Sequence, residues 1–212
     1  MSKIPKIIHQ IWINDTKEMP VKYIPYVSSV ISKHPDWEYI LWDLEKAKNL
    51  GLRTLDRFNE LDHWAYRADI LRYEIMHRFG GVYVDCDFQL LRPLDSILEL
   101  PEVLEKEAFL CNEDENIDDY ISIGIFGATP GHEIFGAATS RALTVDFGYT
   151  KSTYKLPTGP MFFRKSILRI DAAHILPTRT FYPVSYGEGS SNDNGEVFGI
   201  HHWAKNWGKD PG

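Results

Sequence analysis

Cys86 and Cys111 are the only thiols in 212 residues. Two cysteines are too few for a disulfide framework, so a reducing compartment is the setting expected. The opening MSKIPKIIHQIW has neither the apolar core nor the small-residue cleavage site of a secretory leader. No later stretch stays apolar for the length of a membrane span, and a soluble, cytoplasmic location follows as the expectation. Cations are also in short supply: 23 Lys and Arg face 30 Asp and Glu, a formal net charge of −7. Nucleic acids and anionic membranes are held mainly through clustered Lys and Arg, so the balance argues against a surface built to hold either. A phosphate-bearing substrate would need its charge neutralised by something other than the side chains. Internal repeats and low-complexity tracts are missing as well. The glycine-rich stretch SYGEGSSNDNGE (185–196) lacks phosphate-loop spacing and reads as a mobile loop closing over a substrate.

What the chain does have is apolar and aromatic content. It is 43% hydrophobic, with six Trp, eleven Tyr and eleven Phe, enough for one substantial core and more rings than packing requires. A single domain over 1–212 is expected, with the turn-rich tail from about residue 208 reading as the start of a linker. The run at 4–13 suits a strand covered on both faces. A weakly helical pattern follows at 21–34, and a second strand after Pro35. Asp62 is placed to cap a helix whose apolar positions Trp64, Ala68, Leu71, Ile75 and Phe79 recur every three or four residues, ending at Gly80 and Gly81. GVYVDCDF reads as the next strand. A helical stretch runs from Pro93 to about Lys106, strands at 107–111 and 121–128, and a helix over GHEIFGAATSRAL. Short strands are expected at 179–182 and 197–201. The alternation specifies an α/β fold, a central, mostly parallel sheet with helices on both faces, and such sheets bind ligands at the carboxyl ends of their strands.

Asp85 and Asp87 stand at one such end. In an extended strand alternate side chains share a face, so Tyr83, Asp85 and Asp87 point together, away from Val82, Val84 and Cys86. At ~3.3 Å per residue the two acids are roughly 7 Å apart along the backbone, within reach of one hydrated divalent cation. Without an ion two half-buried carboxylates would repel. The same spacing also fits the acid and base of a glycoside hydrolase, and a carbohydrate-binding module without turnover is a third reading. Asp69 and Arg72, three apart on a helical face, have the spacing of an ion pair. His9 and Gln10 lie within the first strand and read as core residues, and Cys86 as a small buried hydrophobe.

Taken in order, PKIIHQIW (5–12), A-x-x-x-D-x-x-R-x-x-x-x-x-x-x-G-G-x-Y-x-D-x-D (65–87), T-G-P (158–160) and H-x-W-x-x-x-W (201–207) resemble the family 32 type of sugar-nucleotide glycosyltransferases. This group includes yeast initiating mannosyltransferases, bacterial capsule enzymes and the clostridial glucosylating toxins. The resemblance implies a GT-A fold, a Mn²⁺ or Mg²⁺ ion, and transfer of a hexose from a nucleoside diphosphate sugar with retained configuration. UDP-glucose is the favoured donor and GDP-mannose its rival; a hydroxyl of a glycan or glycoconjugate is the acceptor. By the same resemblance Asp87 is the direct metal ligand, Asp85 meets the donor and lies in the metal's outer shell, and His201 closes the metal site, with His202 able to replace it. Asp69 and Arg72 contact the donor sugar, and Ile11, Trp12, Tyr83 and Trp207 bind the nucleotide or its diphosphate. Three positions depart from the family pattern: Ala68 and Asn206 each stand where Ser is usual, and the region of Ile123 lacks the usual Asn.

Overall fold

A computed structural model of the chain describes residues 2–15, 18–117, 120–145, 158–183 and 196–204. The first apolar run becomes β1 (Ile7–Ile11), starting after Pro5, which has no N–H to give to a ladder. Helix α1 (Ile24–Lys33) carries Pro25 in its first turn, where a missing N–H costs nothing. Strand β2 (Glu38–Trp42) then pairs parallel with β1.

The charged stretch after β2, which has no clear periodicity, holds two short helices, α2 (Leu44–Asn49) and α3 (Leu55–Glu60). Their connection is fixed from a distance. Glu74, wholly buried on α4 (Trp64–Phe79), accepts the N–H groups of Arg53 at 2.7 Å and Thr54 at 3.0 Å and the Thr54 hydroxyl at 2.6 Å. Helix α4 is capped by His63 and not by the expected Asp62: the imidazole Nδ1 accepts the Ala65 N–H at 3.2 Å. Gly80 closes it with φ 62°, and Gly81 opens β3 (Gly81–Val84) with φ 87°. A Cβ on Gly80 would come within 2.6 Å of the Pro130 backbone nitrogen, so both the left-handed backbone and the available space require glycine.

Then follow β4 (Phe88–Leu90), α5 (Asp95–Leu98), α6 (Pro101–Lys106), β5 (Ala108–Cys111), β6 (Ile125–Ala128), α7 (Glu133–Thr144), α8 (Pro160–Ser166), β7 (His174–Leu176) and β8 (Gly199–His201). Six strands form the main sheet in the order β2-β1-β3-β6-β5-β7. The β1–β2, β1–β3 and β5–β7 ladders are parallel, and β6 runs against both its neighbours. The expected mostly parallel sheet is therefore present. At 179–182 no strand forms; Thr178–Thr180 is a 3₁₀ turn, because Pro177 stops the unforeseen edge strand β7 and starts the turn. Strands β4 and β8 make a separate antiparallel pair.

Apolar side chains fill both faces. One layer joins the sheet to α3, α4, α7 and α8 through Phe58, Ile70, Phe135 and Phe163. The other joins it to α1, α5, α6 and the β4–β8 pair through Val30, Ile97, Val103 and Phe88. The chain leaves β1 towards β2 and leaves β3 for the opposite side of the sheet, so its connections part between β1 and β3. That crevice, at the carboxyl ends of the two strands, is where open α/β sheets bind ligands. No helix among the described residues is long and apolar enough to cross a membrane.

Candidate functional site

Strand β3 stops at Val84, before either acid. The Asp85 N–H donates to the Gly124 carbonyl at 2.8 Å, and the Phe88 N–H turns back onto the Asp85 carbonyl at 3.1 Å. Strand alternation therefore does not bring Asp85 and Asp87 together, contrary to the sequence reading; a tight turn between β3 and β4 does. Cys86, at the turn, is buried and donates its thiol to the Ile11 carbonyl at 3.3 Å. Gln10 Nε2 donates to the Asp85 carbonyl at 3.2 Å. These two bonds tie the ends of β1 and β3.

His201 reaches the turn through the β4–β8 ladder, where it is the register partner of Phe88 and stacks on that ring at 4.7 Å. Its Nε2 lies 3.0 Å from Asp87 Oδ1, while Asp87 Oδ2 accepts the Ala204 N–H at 2.9 Å. Ligand atoms of Asp85, Asp87 and His201 all lie within 4.8 Å of one another. Their side chains are 25%, 17% and 10% exposed, so the cluster can be reached from outside. Burial pushes the Asp87 carboxyl up, but the hydrogen bond and charge of His201 and the Ala204 N–H outweigh it and hold the group below its usual range. His201 is raised by Asp87, against the opposing effect of burial. His202 instead stacks on Tyr26 at 4.4 Å, with Nε2 3.0 Å from Gln89 Oε1.

Behind Asp85 lies a buried relay. The Arg72 guanidinium sits 3.0 Å from Asp69 Oδ1 and 3.1 Å from Asp85 Oδ1, and donates to the Ile123 carbonyl at 2.6 Å. It also lies over the Tyr83 ring at 4.6 Å, and the Tyr83 hydroxyl donates to Asp85 Oδ1 at 2.6 Å. Asp69 Oδ2 accepts the Thr158 hydroxyl at 2.8 Å, and the Thr158 carbonyl accepts from Tyr73 Oη at 2.7 Å. Helical spacing thus makes Asp69 and Arg72 the ion pair it suggests, and the fold attaches that pair to Asp85. Burial raises Asp69 to about 6 even with Arg72 alongside, and it raises Asp85 against the pull of the same guanidinium.

At the β1 end, Ile11 is buried in the core, and Trp12 packs on Tyr23 at 4.8 Å with its indole N–H donated to the Glu18 carbonyl at 3.0 Å. His9 and Gln10 are fully buried and satisfied: His9 donates from Nε2 to the Gly80 carbonyl at 2.9 Å and accepts the Trp42 indole N–H at Nδ1, 3.2 Å away. Trp207, Asn206, the tail from 208 and nearly all of the 185–196 loop lie outside the described residues. Sequence reasoning passed over Glu113, two residues beyond β5. Burial pushes this carboxyl up to about 7, and it interacts electrostatically with His201 and Asp85. The available signal was the same one that marks Asp85, an acid just past a buried apolar strand. The donor set of two carboxylates and an imidazole fits a hard or borderline divalent ion such as Mg²⁺ or Mn²⁺.

Residues 20–104 match the family described as the glycosyltransferase sugar-binding region containing the DXD motif. Inositol phosphoceramide mannosyltransferase 3 of Schizosaccharomyces pombe is 31% identical over 229 residues, covering 95% of this chain and 60% of the relative. The chain spans about 60% of the length of the curated relatives it matches first. Among solved structures, the PaToxG glycosyltransferase superposes with a TM-score of 0.60 at 17% identity, over 77% of this chain and 68% of that one. An active-site mutant of LgtC gives 0.51 at 13% identity, over 96% and 91%. At these identities the two structures establish the likeness of fold.

Proposed function

This chain carries the DXD-containing sugar-binding region of glycosyltransferases on a GT-A fold, and from that premise we propose that it moves a hexose from a nucleoside diphosphate sugar to a hydroxyl of a glycan or glycolipid, with retained configuration. The observation that carries the proposal is the approach of Asp85, Asp87 and His201 to within 4.8 Å at the sheet's switch point. Asp87 and His201 would hold a Mn²⁺ or Mg²⁺ ion, with Asp85 beside them. Bound there, such an ion neutralises the donor diphosphate and stabilises the charge on the departing nucleoside diphosphate. The chain's own residues fix the geometry. Arg72 and the Tyr83 hydroxyl hold one oxygen of Asp85, which leaves the other for the donor. In our reading Asp69 and Arg72 are positioning residues acting through Asp85, because Asp69 is 2% exposed and both its oxygens are engaged by Arg72 and Thr158. Ile11, the last residue of β1, and Trp12 beside it stay in the proposal as nucleotide contacts on the strength of the sequence resemblance, as does Trp207 from its motif alone.

The mannosyltransferase name of the matching relative shifts our preferred sugar to mannose, and with it the preferred donor to GDP-mannose, the rival named from the sequence resemblance. UDP-glucose, favoured from the sequence, becomes the rival. A screen of nucleotide sugars with Mn²⁺, followed by release of GDP or UDP, decides between them, and an NMR spectrum of the product's anomeric centre reads the configuration. Asp87→Ala should abolish release and the EDTA-sensitive part of nucleotide binding in calorimetry. Unchanged donor turnover in that variant would remove the basis of the proposal. Metal-independent cleavage of a glycoside would point to the hydrolase reading, and sugar binding without turnover to a binding module.

A further inference from the structure

We propose that Glu113 is the acceptor-side residue of this site: its carboxyl group receives the attacking hydroxyl and orients it towards the sugar carried beside Asp85. The inference rests on the transferase reading and adds to it a place and a partner for the acceptor. Glu113 lies two residues beyond β5, and strand pairing continues as far as it. The Ser122 N–H donates to the Cys111 carbonyl at 2.9 Å, Asn112 bridges to Ile121, and the Glu113 N–H donates to the Tyr120 carbonyl at 2.9 Å. Phe109 and Cys111 face the core layer of α1 and the β4–β8 pair, whereas Ala108 and Leu110 face that of α4. By alternation Glu113 shares the side of Cys111. The opposing segment agrees: Ile121 and Ile123 join the α4 layer, while the Ser122 hydroxyl between them meets the hydroxyl of Tyr182, a member of the other layer. That side leads to His201, since Tyr182 packs edge-on to Phe88 at 5.5 Å and to the His201 ring at 5.6 Å. The charges of Glu113 and His201 act on each other, and Glu113 also feels that of Asp85.

Among the described residues no hydrogen-bond donor or ion-pair partner meets the Glu113 carboxyl. The other acids around the site are all held: Asp69 by Arg72 and Thr158, Asp85 by Arg72 and Tyr83, Asp87 by His201 and the Ala204 N–H. Burying a carboxyl without a donor opposes folding, and this desolvation is what lifts Glu113 to about 7. An acid so placed in a cleft marks a group kept for a ligand, and Glu113 is partly exposed, within reach from outside. Such a carboxyl suits a hydroxyl or a cation. The cation cluster closes without it, since the ligand atoms gathered within 4.8 Å are those of Asp85, Asp87 and His201. A donor diphosphate would be repelled by it. Sheet order then selects the acceptor. With the strands in the order β1-β3-β6-β5, the nucleotide contacts proposed at the end of β1 and Glu113 beyond β5 lie on opposite sides of Asp85. A donor reaching from β1 to Asp85 leaves the β5 side open, and an acceptor hydroxyl arriving there meets an oxygen able to accept its hydrogen bond.

Water is the smallest acceptor, so release of GDP from GDP-mannose, or of UDP from UDP-glucose, with Mn²⁺ and no added acceptor reads the effect whatever the natural acceptor is. Glu113→Leu should lower the maximal rate of release by about tenfold or more, while the KM for the donor and the calorimetric affinity for nucleotide with Mn²⁺ stay within about twofold of wild type. Glu113→Gln, which keeps one accepting oxygen, should fall between the two. Both variants should melt no earlier than wild type, because neither breaks a bond within the described residues and each removes an unpaired buried acid. Release at the wild-type rate from both variants overturns the inference and leaves the transferase reading standing. A weaker Mn²⁺-dependent affinity or a raised donor KM at an unchanged maximal rate gives the carboxyl to the metal or the donor and overturns it as well, and early melting of both variants gives it to the fold. A wild-type chain that releases no nucleotide sinks the transferase reading itself, and this inference with it.

Discussion

Arg72→Met tests the relay behind the candidate site. Methionine keeps an apolar stem against the Tyr83 ring but offers no donors. Asp69 Oδ1, Asp85 Oδ1 and the Ile123 carbonyl each lose a partner now 2.6 to 3.1 Å away. Removing one member of a buried ion pair costs about 3–5 kcal/mol, because the remaining charge is left uncompensated. The loss should also depend on pH. Burial already raises Asp69 to about 6 with Arg72 present, and without Arg72 it rises further. A carboxyl raised on folding stabilises when protonated and loses that contribution as pH climbs through its folded value. In the variant this loss extends to higher pH, and each added unit costs about 1.4 kcal/mol. Urea denaturation followed by tryptophan fluorescence should therefore show a larger gap between wild type and variant at pH 8 than at pH 5. Arg72→Lys should recover only part of it, since an ammonium restores the charge without the planar fork. Equal gaps at the two pH values, or a loss under about 1 kcal/mol, would refute the claim that this guanidinium compensates buried charge.

His9 acts on stability in the opposite direction. Burial lowers it from 6.5 to about 4, so its contribution is complete above pH 6.5 and is lost as pH falls towards 4, a change of up to about 3 kcal/mol. His9→Gln should flatten urea stability over that window even though it lowers the neutral-pH value, and an unaltered acid limb would contradict the assignment. At Gly124 a Cβ would stand 2.9 Å from Tyr182 Oη and 3.1 Å from Asp85 Oδ2. Gly124→Ala should cost about 1–3 kcal/mol by overpacking and, on the donor-holding role proposed for Asp85, cut nucleotide release by about tenfold or more as that carboxylate is displaced; full turnover would show that Asp85 need not be held there.

Much of the fold was legible because local signals were strong where the core is made. The apolar run at β1 and the glycine pair between α4 and β3 announce themselves, and both glycines do adopt positive φ. Helices α2 and α3 were not legible, since Glu74, some twenty residues away, holds their connection in place. The site divides in the same way. Asp85 and Asp87 stood out by spacing, yet the alternation invoked for them ends at Val84, and what brings them together is a turn whose first residue pairs with Gly124. Tyr83 still obeys the alternation: its ring joins the core layer of α4 while Val82 and Val84 join the layer of α1. His201 owes its place to a ladder pairing it with Phe88 across 113 positions of chain, and no local pattern encodes such a pairing. The Asp87 carbonyl accepts the His202 N–H at 3.0 Å and its carboxylate accepts the Ala204 N–H, so Asp87 holds the backbone after β8 as well as facing His201. An acid that a motif marks for chemistry is thus also an anchor for a distant strand. Replacing it therefore removes two things at once, and only metal-dependent nucleotide binding, measured beside stability, separates them.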